Sequence, residues 1–306
     1  MRKILLFILS LSLGSGLTAQ GDLAWWDALH DYPAAAGNNR IRYQNISPGF
    51  MGPNALRLVP LLNGKVDNEY WVMAAGDVHR GVSDRTENMF LELNLALAKD
   101  RVLVYLNSIP IERYEVTPEV RDLRRMVNFS GEGTNTGDIQ VGTVFRIFVE
   151  DSVGFNMTMR AHMKTTTGSN LENARYSNHG MYVFDLQFSK TLVKREDRSF
   201  LIKAMLGFMS WQTNKNRLPN GSKFLQNDAP VYGLGLEYEW KKLSLSTDLS
   251  GYYGFIGNRD TPLFSRTQIQ YRIGNLGLLS EFNLGLRAWD WNTARLGLRF
   301  YFAQAG

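Results

Sequence analysis

The sequence predicts an all-β chain, a transmembrane antiparallel up-and-down β-barrel of about twelve strands. Three observations carry that prediction. From about residue 69 the hydrophobic pattern has a period of two. The alternating runs are about 11 to 15 residues long, where globular strands are usually ~5–6. The connections alternate between short and long, as the two rims of an outer-membrane barrel do.

Composition bounds the alternatives. The chain has 306 residues, 44% of them hydrophobic, and no cysteine. That apolar content excludes a disordered chain. The missing cysteine excludes a disulfide scaffold, a thiolate metal site and cysteine catalysis. Mean hydropathy is −0.23, and beyond the N-terminus no run of 18 apolar residues appears, which excludes a polytopic helical membrane protein. Residues 1–19 read as a secretory signal peptide: Arg2 and Lys3, then an apolar stretch from Ile4 to Leu13, then small residues to Ala19. Its removal takes two positive charges, so the net charge of +5 falls to +3. A balance that mild gives no case for a nucleic acid partner.

Strands are expected at 69–78, 86–97, 101–115, 138–149, 152–164, 180–192, 199–211, 230–240, 242–255, 262–273, 275–287 and 292–302, so residues 69–306 form the barrel. The second shows the pattern: Met89, Leu91, Leu93, Leu95 and Leu97 on one face, Asn88, Glu92 and Asn94 on the other. Lipid outside and a polar lumen inside require such paired stripes. An even strand number leaves both barrel ends in the periplasm. Trp211, Tyr252, Tyr253 and Phe255 at the outer strand ends, and Trp240, Tyr301 and Phe302 at the inner ends, read as interfacial girdles.

The last strand, Arg295-Leu296-Gly297-Leu298-Arg299-Phe300-Tyr301-Phe302, resembles the aromatic-ended final strand of bacterial outer-membrane proteins. The resemblance implies the barrel-assembly machinery as a partner. With Thr18-Ala19-Gln20 closing the signal, the chain is similar to uncharacterised outer-membrane barrels of Bacteroidota. That likeness covers architecture and no specific functional family, and it implies the bacterial outer membrane as location.

Residues 20–68 are rich in Gly, Pro and Asn turns. They are too few for an independent core. They are expected as a periplasmic segment that plugs the lumen or covers its mouth, with Trp25 and Trp26 as an anchor, or else as a strap or an extra short strand at 56–60. In the 116–136 loop, Thr117-Pro118-Glu119 is a helix start. Val120, Leu123 and Val127 would then share one side, with Arg121, Arg124 and Arg125 elsewhere. Such a loop would constrict the lumen, hold lipopolysaccharide phosphates, or form a solvated lid. Glu132, Asn135 and Asp138 lack the spacing of a calcium loop, so no metal or cofactor is expected.

Alternation assigns a mixed set of charges to the lumen: Arg146, Arg160, Lys164, Lys203, Arg266, Arg272, Arg287, Arg295 and Arg299 against acids that include Glu237, Glu239 and Glu281. Five of these arginines, Arg266, Arg272, Arg287, Arg295 and Arg299, come from adjacent strands. They form a basic ladder that would select anions, or a salt-bridged filling of a narrow barrel. The leading expectation is a constricted channel for small polar or anionic solutes. The alternative is a non-conducting scaffold or accessory subunit with a periplasmic protein partner. In both, outer-membrane lipid and lipopolysaccharide surround the barrel. A minor alternative is lipid hydrolysis. Arg175-Tyr176-Ser177-Asn178-His179 resembles the His-x-Ser-Asn motif of outer-membrane phospholipase A and lipid A deacylases, but only Ser177 and Asn178 match. Arg175 stands where the base should be and cannot accept a proton.

Overall fold

The computed structural model describes residues 23–32, 40–212, 226–257 and 259–304. The signal peptide expected at 1–19 lies outside them. Thirteen strands follow the N-terminal segment: β1 (Glu69–Gly81), β2 (Asp84–Ala98), β3 (Val102–Val116), β4 (Glu132–Asn135), β5 (Gln140–Phe148), β6 (Asn156–Lys164), β7 (Met181–Lys194), β8 (Arg198–Gln212), β9 (Gln226–Trp240), β10 (Leu243–Tyr252), β11 (Leu263–Ile273), β12 (Leu276–Arg287) and β13 (Asn292–Gln304). Among the described residues three short α-helices accompany them: α1 (Ala24–Leu29), α2 (Pro118–Arg124) and α3 (Glu150–Val153).

Twelve of the strands close a ring. Each pairs antiparallel with its neighbour, β3 pairs with β5, and β13 closes on β1 through Asn292–Gln304 opposite Glu69–Arg80. The extra strand, β4, pairs only with the long-loop end of β3, Glu115 facing Glu132 and Glu112 facing Asn135. Closure leaves no edge whose backbone groups would go unpaired in lipid. The outward stripe is apolar around the ring: Val72, Phe184, Leu206, Leu249, Ile269 and Phe282 are exposed, and Leu234 and Leu296 are each 69% exposed. A water-soluble protein rarely shows so continuous an apolar belt; here lipid covers it. The described helices are all too short to cross a membrane.

Aromatic residues divide between two fates. Tyr253, Phe255, Trp240 and Phe302 are exposed at the rims, where a girdle belongs. Trp211, Tyr252 and Tyr301 are instead buried within the barrel. Each lies on the lumen-facing parity of its strand, and the lumen is filled, so they pack inward. The helix expected after Thr117 forms as α2, with Pro118 in its first turn and Arg125 as a left-handed cap. Its sides are reversed: Leu123 is 52% exposed, while Arg121 and Arg124 are buried. Arg124 is paired with Asp84 and lies over the Trp291 ring, and Arg121 bonds Asp122 and the Phe129 carbonyl. A cation supplied with such partners can be buried.

A threaded lumen with two unlike walls as the candidate functional site

The segment before β1 runs through the barrel. At the long-loop end Trp25 meets Phe129 edge-on at 5.1 Å, and Asn45 Nδ2 donates to the Leu123 carbonyl at 3.2 Å. Gly52 N–H donates to Ala174 O at 3.1 Å, and a Cβ on Gly52 would fall 2.5 Å from the Arg175 guanidinium carbon, so only glycine fits. Lower down, Arg57 Nη2 donates to Asn107 at 2.7 Å and Gln140 at 3.2 Å. Arg160 and Arg266 donate to the Pro60 and Leu61 carbonyls at 2.7 and 2.8 Å, and Leu62 N–H donates to Gln187 at 2.9 Å. Asn63 Nδ2 donates to Glu237 at 3.1 Å. Asn68 bonds Asp100 in a short turn just before β1 begins. Long loops face outward in such barrels. The segment expected in the periplasm therefore enters from the outer mouth and leaves at the periplasmic one. Its backbone makes no ladder there, and side chains of the wall satisfy it.

The Trp pair anchors α1, at the outer rim. Trp26 is fully buried, with His30 at 4.6 Å and Tyr32 at 5.4 Å between ring centres, and the Arg121 guanidinium lies 4.7 Å over Trp25. Burial, and next the nearby Arg125 charge, hold the His30 pKa below its usual value.

One wall of the lumen is apolar. Met51, Leu56, Val59 and Leu61 of the segment pack against Met181, Val183, Met205, Met209, Trp211, Val231 and Tyr252, inward side chains of β7–β10. Burying each such side chain contributes ~1.5–3 kcal/mol. The polar lumen expected from alternation fails here. The missed signal was local: in Met181-Tyr182-Val183-Phe184 and in Phe208-Met209 neighbouring positions are all apolar, which marks a strand covered on both faces.

The long-loop end is closed by a polar seal. Residues 165–180 fold inward, with Arg175 and Tyr176 fully buried. Arg175 donates to Glu112 at 2.9 Å, Asp84 at 3.0 Å and the Thr86 hydroxyl at 2.6 Å. Glu112 also accepts from Tyr176 OH at 3.0 Å, Asn54 at 2.6 Å and Asn135 at 3.4 Å. Burial opposes the Arg175 charge, but the Glu112 and Asp84 carboxylates more than offset it, and its pKa is raised. From Asn54 the network continues through Asn88 at 2.9 Å to Asp77 at 2.9 Å. The inward constriction expected of the 116–136 loop comes chiefly from the 165–180 loop.

The opposite wall, β11–β13 with β1 and β2, carries the arginine ladder, while further ion pairs lie on β6–β10. Three members of the ladder have carboxylate partners: Arg266 with Asp248 at 2.8 Å, Arg272 with Glu69 at 2.6 Å and Arg295 with Asp77 at 2.6 Å. Arg299 has none within 4 Å among the described residues; it donates to Gln270 at 3.0 Å and stacks on Trp71 at 3.9 Å. Arg287 is not in the lumen. The register slips between Leu263 and Phe264, so Phe264 faces Gly285 and Leu263 faces Arg287. That bulge turns Arg287 to the exposed outer rim, where it donates to Tyr232 OH at 3.0 Å. Elsewhere Arg160 pairs with Asp185 at 2.6 Å, Lys164 with Asp138 at 2.6 Å and Lys203 with Glu237 at 3.4 Å. Glu281 accepts from Gln268 at 3.2 Å and Asn283 at 3.0 Å, and Glu239 from Ser199 at 2.6 Å. Arg146 pairs across from Thr158 near the short-turn end and makes no ion pair among the described residues.

Beside the segment lies a cavity of ≈ 660 Å³, lined by this wall and by inward residues of β3, β5, β6 and β8–β10. Its lining runs from Arg272, Glu239 and Ser244 at the short-turn end up to His79 and Thr293. Above that level stand the fully buried groups of the seal. The described residues contain no cluster fit for a metal. Ser177 donates its hydroxyl to the His179 carbonyl at 3.3 Å rather than to an imidazole, and it is 2% exposed. His179, two residues beyond Ser177, is therefore not placed as a base for that hydroxyl.

No protein-family model matches the chain, and no curated protein matches it. Solved structures do. An outer membrane channel from Pseudomonas putida F1 matches with a TM-score of 0.55 at 12% identity, over 80% of this chain and 100% of that one. A NanC porin matches with a TM-score of 0.49 at 12% identity, over 76% of this chain and 100% of that one. The transport unit of the autotransporter AIDA-I from Escherichia coli matches at 0.46 and 10% identity, over 82% and 94%. The first likeness shows the shared barrel fold; the other two lie too low to carry an argument. A closed twelve-strand barrel with a lipid-facing apolar belt places the protein in the bacterial outer membrane.

Proposed function

We propose that the protein is a channel for small polar solutes, closed at rest by its own residues 44–62. The observation that supports this most is the asymmetry of the lumen. The segment packs on one wall by apolar contacts and leaves beside it a cavity lined by charged, amide and apolar side chains. Passage needs the seal to open around Asn54 and Arg175, above the cavity. A preference for anions is weak on this reading, because Arg266, Arg272 and Arg295 are each matched by a carboxylate. The aromatic end of β13 is the part proposed to meet the assembly machinery.

The test is single-channel conductance in a planar bilayer with a lock on the segment. A Cβ on Gly233 would lie 2.7 Å from Leu61 Cδ1, and the chain has no cysteine of its own. The double variant Leu61→Cys, Gly233→Cys is expected to be silent when oxidised and to open after reduction. Equal conductance in both states overturns the gate. Silence in both states from folded protein, and in Arg175→Met as well, overturns the channel in favour of a non-conducting scaffold. The tight filling of the lumen favours that second reading, which predicts co-purifying partners that depend on residues 20–68.

A further inference from the structure

We propose that the luminal cavity is a binding site for a small zwitterion, a molecule carrying one carboxylate and one ammonium group. This deepens the channel reading and rests on it for placing the solute in this cavity.

Most charges of the lumen are closed in pairs, but several that line the cavity make no ion pair among the described residues, and four of them carry the argument. Arg57 is held by two neutral amides and stacks on Phe90 at 4.7 Å. Arg299 is held by Gln270 and the Tyr301 hydroxyl, and its Nε is buried without a partner. Neither has a carboxylate within 4 Å among the described residues. On the acidic side, Glu281 accepts only from amides. Glu92 makes no hydrogen bond among the described residues and lines the same cavity as Arg57 and Arg299. Two guanidinium groups and two carboxylates thus face one cavity without touching, so a solute that fills the gap must present both charges.

A fifth group points the same way. His162 is 4% exposed, lines the cavity, and has an Nε2 without a partner. Its Nδ1 lies 2.9 Å from the Tyr105 hydroxyl. With the Tyr105 hydroxyl donating to Nδ1, Nε2 carries the ring proton. A buried N–H donor aimed into a cavity calls for an acceptor. A carboxylate held by Arg57 satisfies it, while an ammonium group on the same molecule meets Glu92. The volume falls within the range of small-molecule sites, ~300–1,000 Å³.

The test is calorimetric titration of the full-length protein, folded in detergent micelles, with L-glutamine as the zwitterion and with acetate and methylammonium as half-ligands. Glutamine is expected to bind at least about tenfold more tightly than either half-ligand, since each charge-assisted contact is worth about that factor. Arg57→Gln and Glu92→Gln are each expected to weaken glutamine by about tenfold. If either variant fails to fold, the half-ligand comparison on the unaltered protein still decides. Acetate as tight as glutamine means an anion site and overturns the proposal; methylammonium as tight means a cation site and does the same. No heat with any of the three from folded protein also overturns it. Glutamine binding without conductance would sink the channel and leave the site; conductance without binding would do the reverse.

Discussion

Strands β7–β10 and strands β11–β13 with β1 and β2 face the same threaded segment from opposite sides of the lumen. The first wall meets it with Met, Val, Trp and Tyr side chains packed on Met51, Leu56 and Leu61. The second meets it with ion pairs, amides and a cavity. The contrast separates two tasks. Apolar packing holds the segment by area and tolerates small shifts, because dispersion is not directional. A buried ion-pair network is directional, and it fails as a whole when one partner leaves. In the proposed channel the apolar wall is the hinge surface and the polar seal the latch.

The largest test of that division is the latch. Arg175→Met leaves Asp84 and Glu112 buried without their common guanidinium, and breaking such a pair costs ~3–5 kcal/mol. Thermal unfolding in detergent should show a clear loss of stability, and conductance should rise. An unchanged melting temperature would remove the seal from the account. Next in size is the hinge. Leu56→Ala and Leu61→Ala each open a void against the apolar wall, with an expected cost of ~2–5 kcal/mol. Limited proteolysis of the segment should accelerate in both variants, and the ionic seal should keep the open probability below that of Arg175→Met. The reverse order of open probabilities would exchange the roles of the two walls.

Selectivity is expected to change less. Arg299→Gln removes the one ladder arginine that faces the cavity with no carboxylate partner, so the reversal potential in a salt gradient should move modestly toward cations. Glu92→Gln should move it the other way. Two shifts of the same sign would mean that the wall does not set selectivity.

The smallest effect concerns the outer cap. The His30 pKa is lowered from 6.5, first by burial and then by Arg125, so the docked state favours the neutral ring. Docking of α1 is then at full strength above pH 6.5 and weakens as pH falls through the lowered value. Trp25 and Trp26 fluorescence should report this loosening between neutral and acid pH. His30→Gln should remove the pH dependence. A variant that retains it points to another group at the rim.

Much of the frame was legible because strand parity is a local property. Met89, Leu91 and Leu93 point outward and Glu92 and Asn94 inward whatever the rest of the chain does. The same rule placed Arg160, Lys203, Arg266, Arg295 and Arg299 inside. It failed for Arg287 because a bulge between Leu263 and Phe264 shifts the register by one residue, and that slip sends a side chain to the other face. It could not say that Trp211 and Tyr252 were packing residues rather than girdle residues, since both fates share one parity at the strand ends. Trp25 and Trp26 stand out in the sequence, but nothing local to them names the rim at which they pack.

Sequence alone determined the twelve strands of the ring, the lipid-facing stripe and most of the inward charges, but not the extra strand β4, because a period of two and the turn chemistry are written within a dozen residues. Only the tertiary structure decided what fills the barrel and which charges stay open. Arg266 meets the Leu61 carbonyl across 205 residues and Arg175 meets Asp84 across 91. Such pairings follow from ring closure and from the path of the threaded segment. They determine whether an inward arginine is neutralised, like Arg295, or left facing the cavity, like Arg299.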